Sequence, residues 1–180
     1  MSEQILMSAS QIEEAVTAIA DAALASVQDG EHFAVIGIQT RGVYLAGRIS
    51  KAMEKKTGKH IKQGVLDITF YRDDLASRSS LPIIKETRLD FSVDGMTILL
   101  VDDVLFTGRT IKAALDTLTD YGRPKKIMLA VLADRGNREL PIQADFAGLR
   151  IETCFDDEVN VLLAEKDGAD RVVLTEAGQK

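Results

Sequence analysis

Two adjacent aspartates, Asp102 and Asp103, end an apolar run in the segment ILLVDDVLFTGRT (residues 98–110), and a short loop bearing Thr107, Gly108, Arg109 and Thr110 leads from them into a helical pattern. The first amide N–H groups of a helix have no intrahelical partners, and together with the helix dipole they favour a phosphate. Gly108 lets backbone approach such a group closely, and the hydroxyls of Thr107 and Thr110 can add hydrogen bonds. Two carboxylates next to this cradle would oppose a ligand that was phosphate alone. They suit a phosphate attached to hydroxyls, because a carboxylate accepts and a vicinal diol offers two donors. The combination describes a ribose 5-phosphate. The negative charge also suits a ribosyl centre that becomes positive during reaction.

Such a site needs a scaffold, and the hydrophobic pattern supplies one. Residues 8–27 predict an amphipathic helix with Ile12, Val16, Ile19, Ala20 and Ala23 on one face and a Ser10–Glu13 capping box. FAVIGI (33–38) reads as a buried strand, QTRG as a loop, and residues 43–58 as a helix ending at Gly58. Residues 65–72 alternate as a strand, DDLASRSS is polar, and LPIIKETRLDFSV can return as the second arm of a hairpin before a turn at Asp94–Gly95. After the acidic pair, Ile111, Ala114, Leu115 and Leu118 form one face of a helix stopped by Gly122 and Pro124. KIMLAVLAD (126–134) is a further buried strand, residues 135–148 a loop region, and the chain closes with two strand-like runs around Asp167–Gly168. Strands alternating with helices predict an α/β fold, with a central, mostly parallel sheet flanked by helices. Ligands in such folds bind at the carboxyl ends of the strands, where Asp102 and Asp103 are expected.

The length of 180 residues suits a single domain, and 46% apolar residues can fill a core. The lone Cys154 cannot form an internal disulfide, and the first residues lack the pattern of a signal peptide, so a cytoplasmic protein without membrane association is expected. A net charge of −6 argues against a protein devoted to nucleic acid. His32 and His60 lack metal-ligand spacing, and nothing near Cys154 would activate it as a nucleophile. A nucleotide-hydrolase loop is excluded, since GVYLAGRIS has Arg48 and Ile49 where lysine and a hydroxyl are required. Response-regulator receivers also end a strand in aspartates, but near the chain start rather than centrally.

The segment ILLVDDVLFTGRT resembles the phosphoribosyl-pyrophosphate (PRPP) motif of the type I phosphoribosyltransferases. IGIQTRGVYLAGRI, DITFYRDDL, GRPKKIMLAVLADRGNRELPIQADF and DEVNVLLAEKDGAD extend the likeness over nearly the whole chain. Together they are similar to the branch that joins uracil phosphoribosyltransferase activity to attenuation of pyrimidine operons. The resemblance implies the type I fold with a flexible hairpin loop and a small hood drawn mainly from about residues 135–180. It implies transfer of ribose 5-phosphate from PRPP to uracil, giving UMP and diphosphate, with Mg²⁺ held by PRPP and water rather than by the protein. Dimers or higher homo-oligomers are implied as well.

Residue by residue, Asp102 and Asp103 would hold the ribose, Val104, Leu105, Phe106, Thr107, Gly108, Arg109 and Thr110 the 5-phosphate, and Thr40, Arg41 and Gly42 the diphosphate. Asp102, Asp103 and Arg41 would be catalytic. Arg72 and Arg78 are the candidates in the flexible loop. Arg135 either pairs with a carboxylate or lies over the base, and Val159 is either core or a backbone contact to uracil. A purine-type transferase is the remaining enzymatic alternative, and the likeness over residues 124–170 speaks against it.

An RNA-binding attenuator that uses the same pocket as a sensor is the alternative of another class, its partner the operon leader RNA. Regulators of this branch are expected to carry basic residues in the first helix. Here residues 8–27 contain none and include Glu13, Glu14 and Asp21. Asn137 stands where histidine is expected, though Arg138 remains, and GLRIETCFDDE keeps only Arg150. The expectation is a transferase whose RNA role is weak, altered or lost.

Overall fold

The computed structural model describes residues 3–28, 30–69 and 86–178. Five strands form a sheet in the order β3-β2-β4-β5-β6: β2 (Phe33–Ile38), β3 (Lys62–Leu66), β4 (Thr97–Leu105), β5 (Lys126–Asp134) and β6 (Phe146–Arg150). All neighbouring pairs in it are parallel. A three-stranded antiparallel sheet has the order β1-β8-β7, from β1 (Glu3–Met7), β7 (Glu158–Leu162) and β8 (Arg171–Thr175). The helices are α1 (Ala9–Ala25), α2 (Arg41–Thr57), α3 (Arg109–Thr119) and the four-residue α4 (Ala164–Asp167).

Burial on both faces explains the apolar runs. Val35, Leu99, Val101, Met128, Ala130 and Leu132 point to one side, where Ile12, Val16 and Ile19 of α1 and Leu45, Ile49 and Met53 of α2 meet them. Ala34, Ile36, Ile38, Ile98, Leu100, Leu129 and Val131 point to the other, against Ile111, Ala114 and Leu118 of α3. Strand side chains alternate between faces, so a strand covered on both sides must be apolar at every position. The inner face of the small sheet, with Val159, Val161, Val172 and Leu174, joins the α1–α2 side of the core.

Several expectations are corrected. The capping box of α1 is Ser8 with Gln11, not Ser10 with Glu13: Ser8 N–H donates to Gln11 Oε1 at 2.8 Å, and Gln11 N–H donates to Ser8 Oγ at 3.4 Å. The strand expected at 65–72 is described as Lys62–Leu66, and residues 70–72 of that range lie outside the described residues. Asp67 ends it by accepting from the Thr69 amide at 2.9 Å. Of the return arm expected over 81–93, residues 81–85 lie outside the described residues, and the described part makes one antiparallel bridge, Val65 to Arg88. β6 lies in a segment expected to be loop, and β1 was not anticipated. Arg72 and Arg78 lie outside the described residues.

Two constraints hold the sheet's starting edge and its contact with α2. Glu31 accepts from Thr97 Oγ1 and Lys125 Nζ, each at 2.7 Å, and so joins the starts of β2, β4 and β5. Lys125, then Thr97, then the Gln28 amide hold its carboxyl at about 2, below the ordinary 4.5. A carboxyl depressed on folding stabilises above its unfolded pKa, and that contribution fades as pH falls toward the folded value. Glu31→Gln should therefore lower the urea midpoint at pH 6, and the gap from the parent should shrink steadily as the titration moves from pH 4.5 toward 2. A gap independent of pH would contradict this. At Gly37, a Cβ would lie 2.5 Å from Val43 Cα. Gly37→Ala should cost about 1–3 kcal/mol in denaturant unfolding, as overpacking does.

Candidate active site

Because the strands are parallel, the segments leaving β2, β4 and β5 emerge on one edge of the sheet. The chain passes from β2 to α2 on one face and from β4 to α3 on the other, so the crevice between adjacent β2 and β4 is the topological switch point at which such folds hold ligands. Thr40–Gly42, Asp102–Thr110 and Arg135 all belong to these segments.

The acidic pair is not at the tip of β4; the strand continues through Leu105. Asp102 is buried at 5% exposure, and Asp103 is half-buried. Asp102 Oδ1 accepts from the Asp103 amide and Asp103 Oδ1 from the Val104 amide, both at 2.9 Å. Each carboxylate thus has one oxygen held by the next residue's backbone, which fixes the side chain and partly offsets the cost of burying charge.

Gly42 sits directly on this strand. A Cβ there would be 2.4 Å from Val101 O and 3.2 Å from Asp102 Cα. No other residue type fits, and the first turn of α2 lies against the backbone beside the acidic pair. Thr40 is the N-cap of α2 and follows a cis peptide bond from Gln39. Arg41 donates through Nε and Nη2 to the two oxygens of Asp167, at 3.1 and 2.9 Å.

Gly108 is the N-cap of α3 with φ +93°, and it has no side chain to cap the helix. A Cβ there would meet Leu140 and Ile142 at 3.3–3.4 Å. The segment after β5 forms the back of this cradle. Glu139 and Leu140 amides donate to Thr107 O at 3.0 and 3.1 Å, and Arg109 Nε donates to Glu139 at 2.6 Å. Arg138 braces the same loop from within, donating to Phe106 O at 2.7 Å, Ile142 O at 2.8 Å, Gly136 O at 3.0 Å and Asp134 Oδ1 at 2.5 Å. Thr107 and Thr110 are half-buried at the loop, whereas Leu105 is fully buried and Val104 packs against the α1–α2 core. Leu105 can therefore reach a ligand only through its backbone.

Among the described residues Arg135 pairs with no carboxylate. It donates to Thr153 Oγ1 at 3.0 Å, Cys154 O at 2.7 Å and Phe155 O at 3.2 Å, and its guanidinium lies 4.0 Å from the Phe106 ring centroid. Burial pulls its pKa below the usual arginine value, with Asp157 and Glu158 acting the other way. Phe106 and Phe155 are 5.1 Å apart in a tilted pair, so Arg135 and two rings join the loop before α3 to residues 153–155. The Val159 side chain is core at 8% exposure, paired with Leu174 across β7 and β8. The bracing by Arg138, the Phe106–Phe155 pair and the partner of Arg41 are features that sequence reasoning missed. Of these, only Arg138 stood out, in DRGNRELP, and there as a candidate for RNA.

The described residues contain no group of three or more His, Cys, Asp or Glu side chains able to hold a metal. The carboxylates of the crevice are Asp102 and Asp103, and carboxylate oxygens are ligands of the kind a hard cation such as Mg²⁺ takes. No helix among the described residues is long and apolar enough to cross a membrane.

The chain is similar to several known proteins. The chain is 47% identical to Bifunctional protein PyrR of Syntrophobacter fumaroxidans, over 98% of this chain and 95% of that protein. It is 49% identical to Bifunctional protein PyrR of Thermus aquaticus, over 95% and 94%. Among solved structures, a hypoxanthine-guanine phosphoribosyltransferase of Bacillus anthracis superposes with a TM-score of 0.72 at 18% identity, covering 97% of this chain and 98% of that one. A hypoxanthine phosphoribosyltransferase of Staphylococcus aureus gives 0.69 at 19%, covering 97% and 93%. At such identities the superpositions speak for the fold alone. Residues 8–164 match the phosphoribosyl transferase domain, and the chain belongs to that family.

Proposed function

We propose that the protein is a uracil phosphoribosyltransferase of the PyrR type, joining uracil to PRPP to give UMP and diphosphate. The observation that carries this reading is the seating of Gly42 on the β4 backbone at Asp102. It puts a loop suited to diphosphate next to carboxylates suited to a ribose and one strand away from a phosphate cradle. The PyrR relatives favour this branch over a purine transferase.

In this reading the 5-phosphate rests on residues 104–110, held by the first-turn amides of α3 and the hydroxyls of Thr107 and Thr110. Asp102 and Asp103 accept from the ribose hydroxyls and face C1 as positive charge grows there. Thr40, Arg41 and Gly42 receive the diphosphate. Bound Mg²⁺ would neutralise charge on the diphosphate as it leaves. Uracil N1 bonds to C1 while the C1–oxygen bond breaks, the bonding pair leaves with the diphosphate and the N1 proton passes to the diphosphate or water, so catalysis is positioning and electrostatics with no covalent enzyme intermediate. The base lies near Arg135, Phe106 and β7. Among the described residues that strand pairs with β8 alone, so backbone on its other edge can offer uracil a donor and an acceptor. Val159 takes part through its main chain, and Arg72 and Arg78 are the candidates for closing over the reaction. A cytoplasmic homo-oligomer goes with this reading.

We also infer that recognition of a pyrimidine-operon leader RNA is weak or altered here. In the DRGNRELP segment, Arg138 has its guanidinium committed to four internal acceptors, and Arg135 donates to Thr153, Cys154 and Phe155. Asp21 of α1 is paired with Lys56 at 2.6 Å, and Glu13 and Glu14 are exposed on the same helix.

Assays with PRPP, Mg²⁺ and a panel of nucleobases test the enzymatic reading. Uracil should be turned over, and cytosine, hypoxanthine and guanine rejected by about 10⁴-fold, because a hydrogen-bonding pocket leaves mismatched groups unpaired. Comparable turnover of hypoxanthine would contradict it. Asp103→Asn should fold normally and lose about 10²–10³-fold in kcat, the ordinary loss for one preorganised electrostatic contact. Near-normal turnover would remove Asp103 from the site. In filter binding to the protein's own operon leader at physiological salt, UMP-dependent nanomolar affinity surviving competitor RNA would overturn the RNA inference; weak binding indifferent to UMP is expected.

A further inference from the structure

The segment between β7 and β8 is fastened to α2 by two arginines and three carboxylates. Arg48 donates to Glu165 at 2.9 and 2.5 Å and to Asp170 at 2.9 and 2.8 Å. Arg41, seven residues earlier and so near the same face of the helix, meets Asp167 in the two-pronged pair described above. The two arginines differ in position. Arg48 lies within α2, where its pairs can only dock one lobe on the other. Arg41 is the first residue of the helix, next to the glycine that touches β4 at Asp102.

Asp167 is set in place by its own turn. Its Oδ2 accepts from the Leu163 amide at 3.0 Å, its amide donates to Leu163 O at 2.6 Å, and Gly168 closes the turn with φ +77°. The carboxylate therefore acts as a fixed fork. It occupies Nε and one Nη2 hydrogen of Arg41, and Nη1 makes no hydrogen bond among the described residues. Arginine is a long side chain whose ordering on binding is unfavourable, and a partner that orders it beforehand removes that cost from the ligand's affinity.

We propose that Asp167 is a positioning residue for the transfer reaction, fixing the Arg41 guanidinium so that its remaining donors meet the diphosphate of PRPP. This rests on the reading of residues 40–42 as the diphosphate loop. A carboxylate behind the guanidinium takes away some of its attraction for an anion. The gain in orientation outweighs that loss, because Arg41 keeps its charge and geometry while the carboxylate lies on its far edge.

Calorimetric titration with PRPP and Mg²⁺, alongside steady-state kinetics, tests the role. Asp167→Asn keeps the side-chain volume and should weaken PRPP binding about tenfold, the size of one charge-assisted contact. It should raise KM for PRPP while leaving KM for uracil within about twofold. Glu165→Gln, which loosens the same segment through Arg48 alone, should leave both within about twofold. In an Arg41→Ala background the Asp167→Asn change should have almost no further effect, since it acts through the missing side chain. Unchanged or tighter PRPP binding in Asp167→Asn would overturn the proposal. An equal loss in Glu165→Gln would also overturn it, by making the pair a lobe fastening only. The titration contains no nucleobase, so a tenfold loss supports the role even where uracil is not the base, and failure of the uracil reading is seen separately in the turnover assay.

Discussion

The site depends on two backbone contacts that only glycine permits. Gly42 lies against Val101 O and Asp102 Cα, and Gly37 lies against Val43 Cα and Gly42 O. With any side chain at either position, α2 would be pushed off β2 and β4. The loop at 40–42 would then lose its place beside the acidic pair. Removing two Cβ atoms lets a helix start touch two strands at the switch point, so residues 40–42 and the acidic pair come within one crevice. The remaining architecture preserves that approach. Leu45, Ile49 and Met53 anchor α2 on the sheet, and Arg48 ties it to the small lobe.

Charge in the crevice is managed by assigning each charged group a fixed partner. Asp102 and Asp103 are held by the amides that follow them, Arg41 by Asp167, Arg109 by Glu139 and Arg138 by Asp134 and three carbonyls. Arg135 bridges the loop before α3 and residues 153–155 through Phe106 and Phe155. Oriented dipoles and charges fixed before the ligand arrives are what stabilises a transition state whose charge grows at one carbon. The same commitments reduce the basic surface available to RNA: an arginine with four internal acceptors has few donors left for phosphates.

How much could be read from the sequence follows from the kind of signal. β2 and β5 were legible to the residue because a strand buried on both faces must be continuously apolar. α1 and α2 were legible from their 3.6-residue stripes. β6 was not, because an edge strand of half-buried residues with Gly148 in it carries no such run, and Glu3–Met7 is an edge strand with Ile5 at 62% exposure. The acidic pair and the cradle were visible because their chemistry is contiguous. The Arg41–Asp167 pair spans 126 positions, and no local pattern announces which carboxylate meets which arginine. Arg138 was noticed for its charge, but its acceptors are backbone carbonyls, which every residue carries and sequence cannot distinguish.

The central claim is that the crevice between β2 and β4 holds PRPP in one orientation. A crystal structure of the protein with Mg²⁺ and PRPP, or with UMP and diphosphate, tests it most directly. The account predicts the 5-phosphate on the start of α3 at residues 107–110, ribose hydroxyls on Asp102 and Asp103, and diphosphate at Thr40–Gly42. A phosphoribosyl group bound in the reverse sense, or away from Asp102 and Asp103, would contradict it.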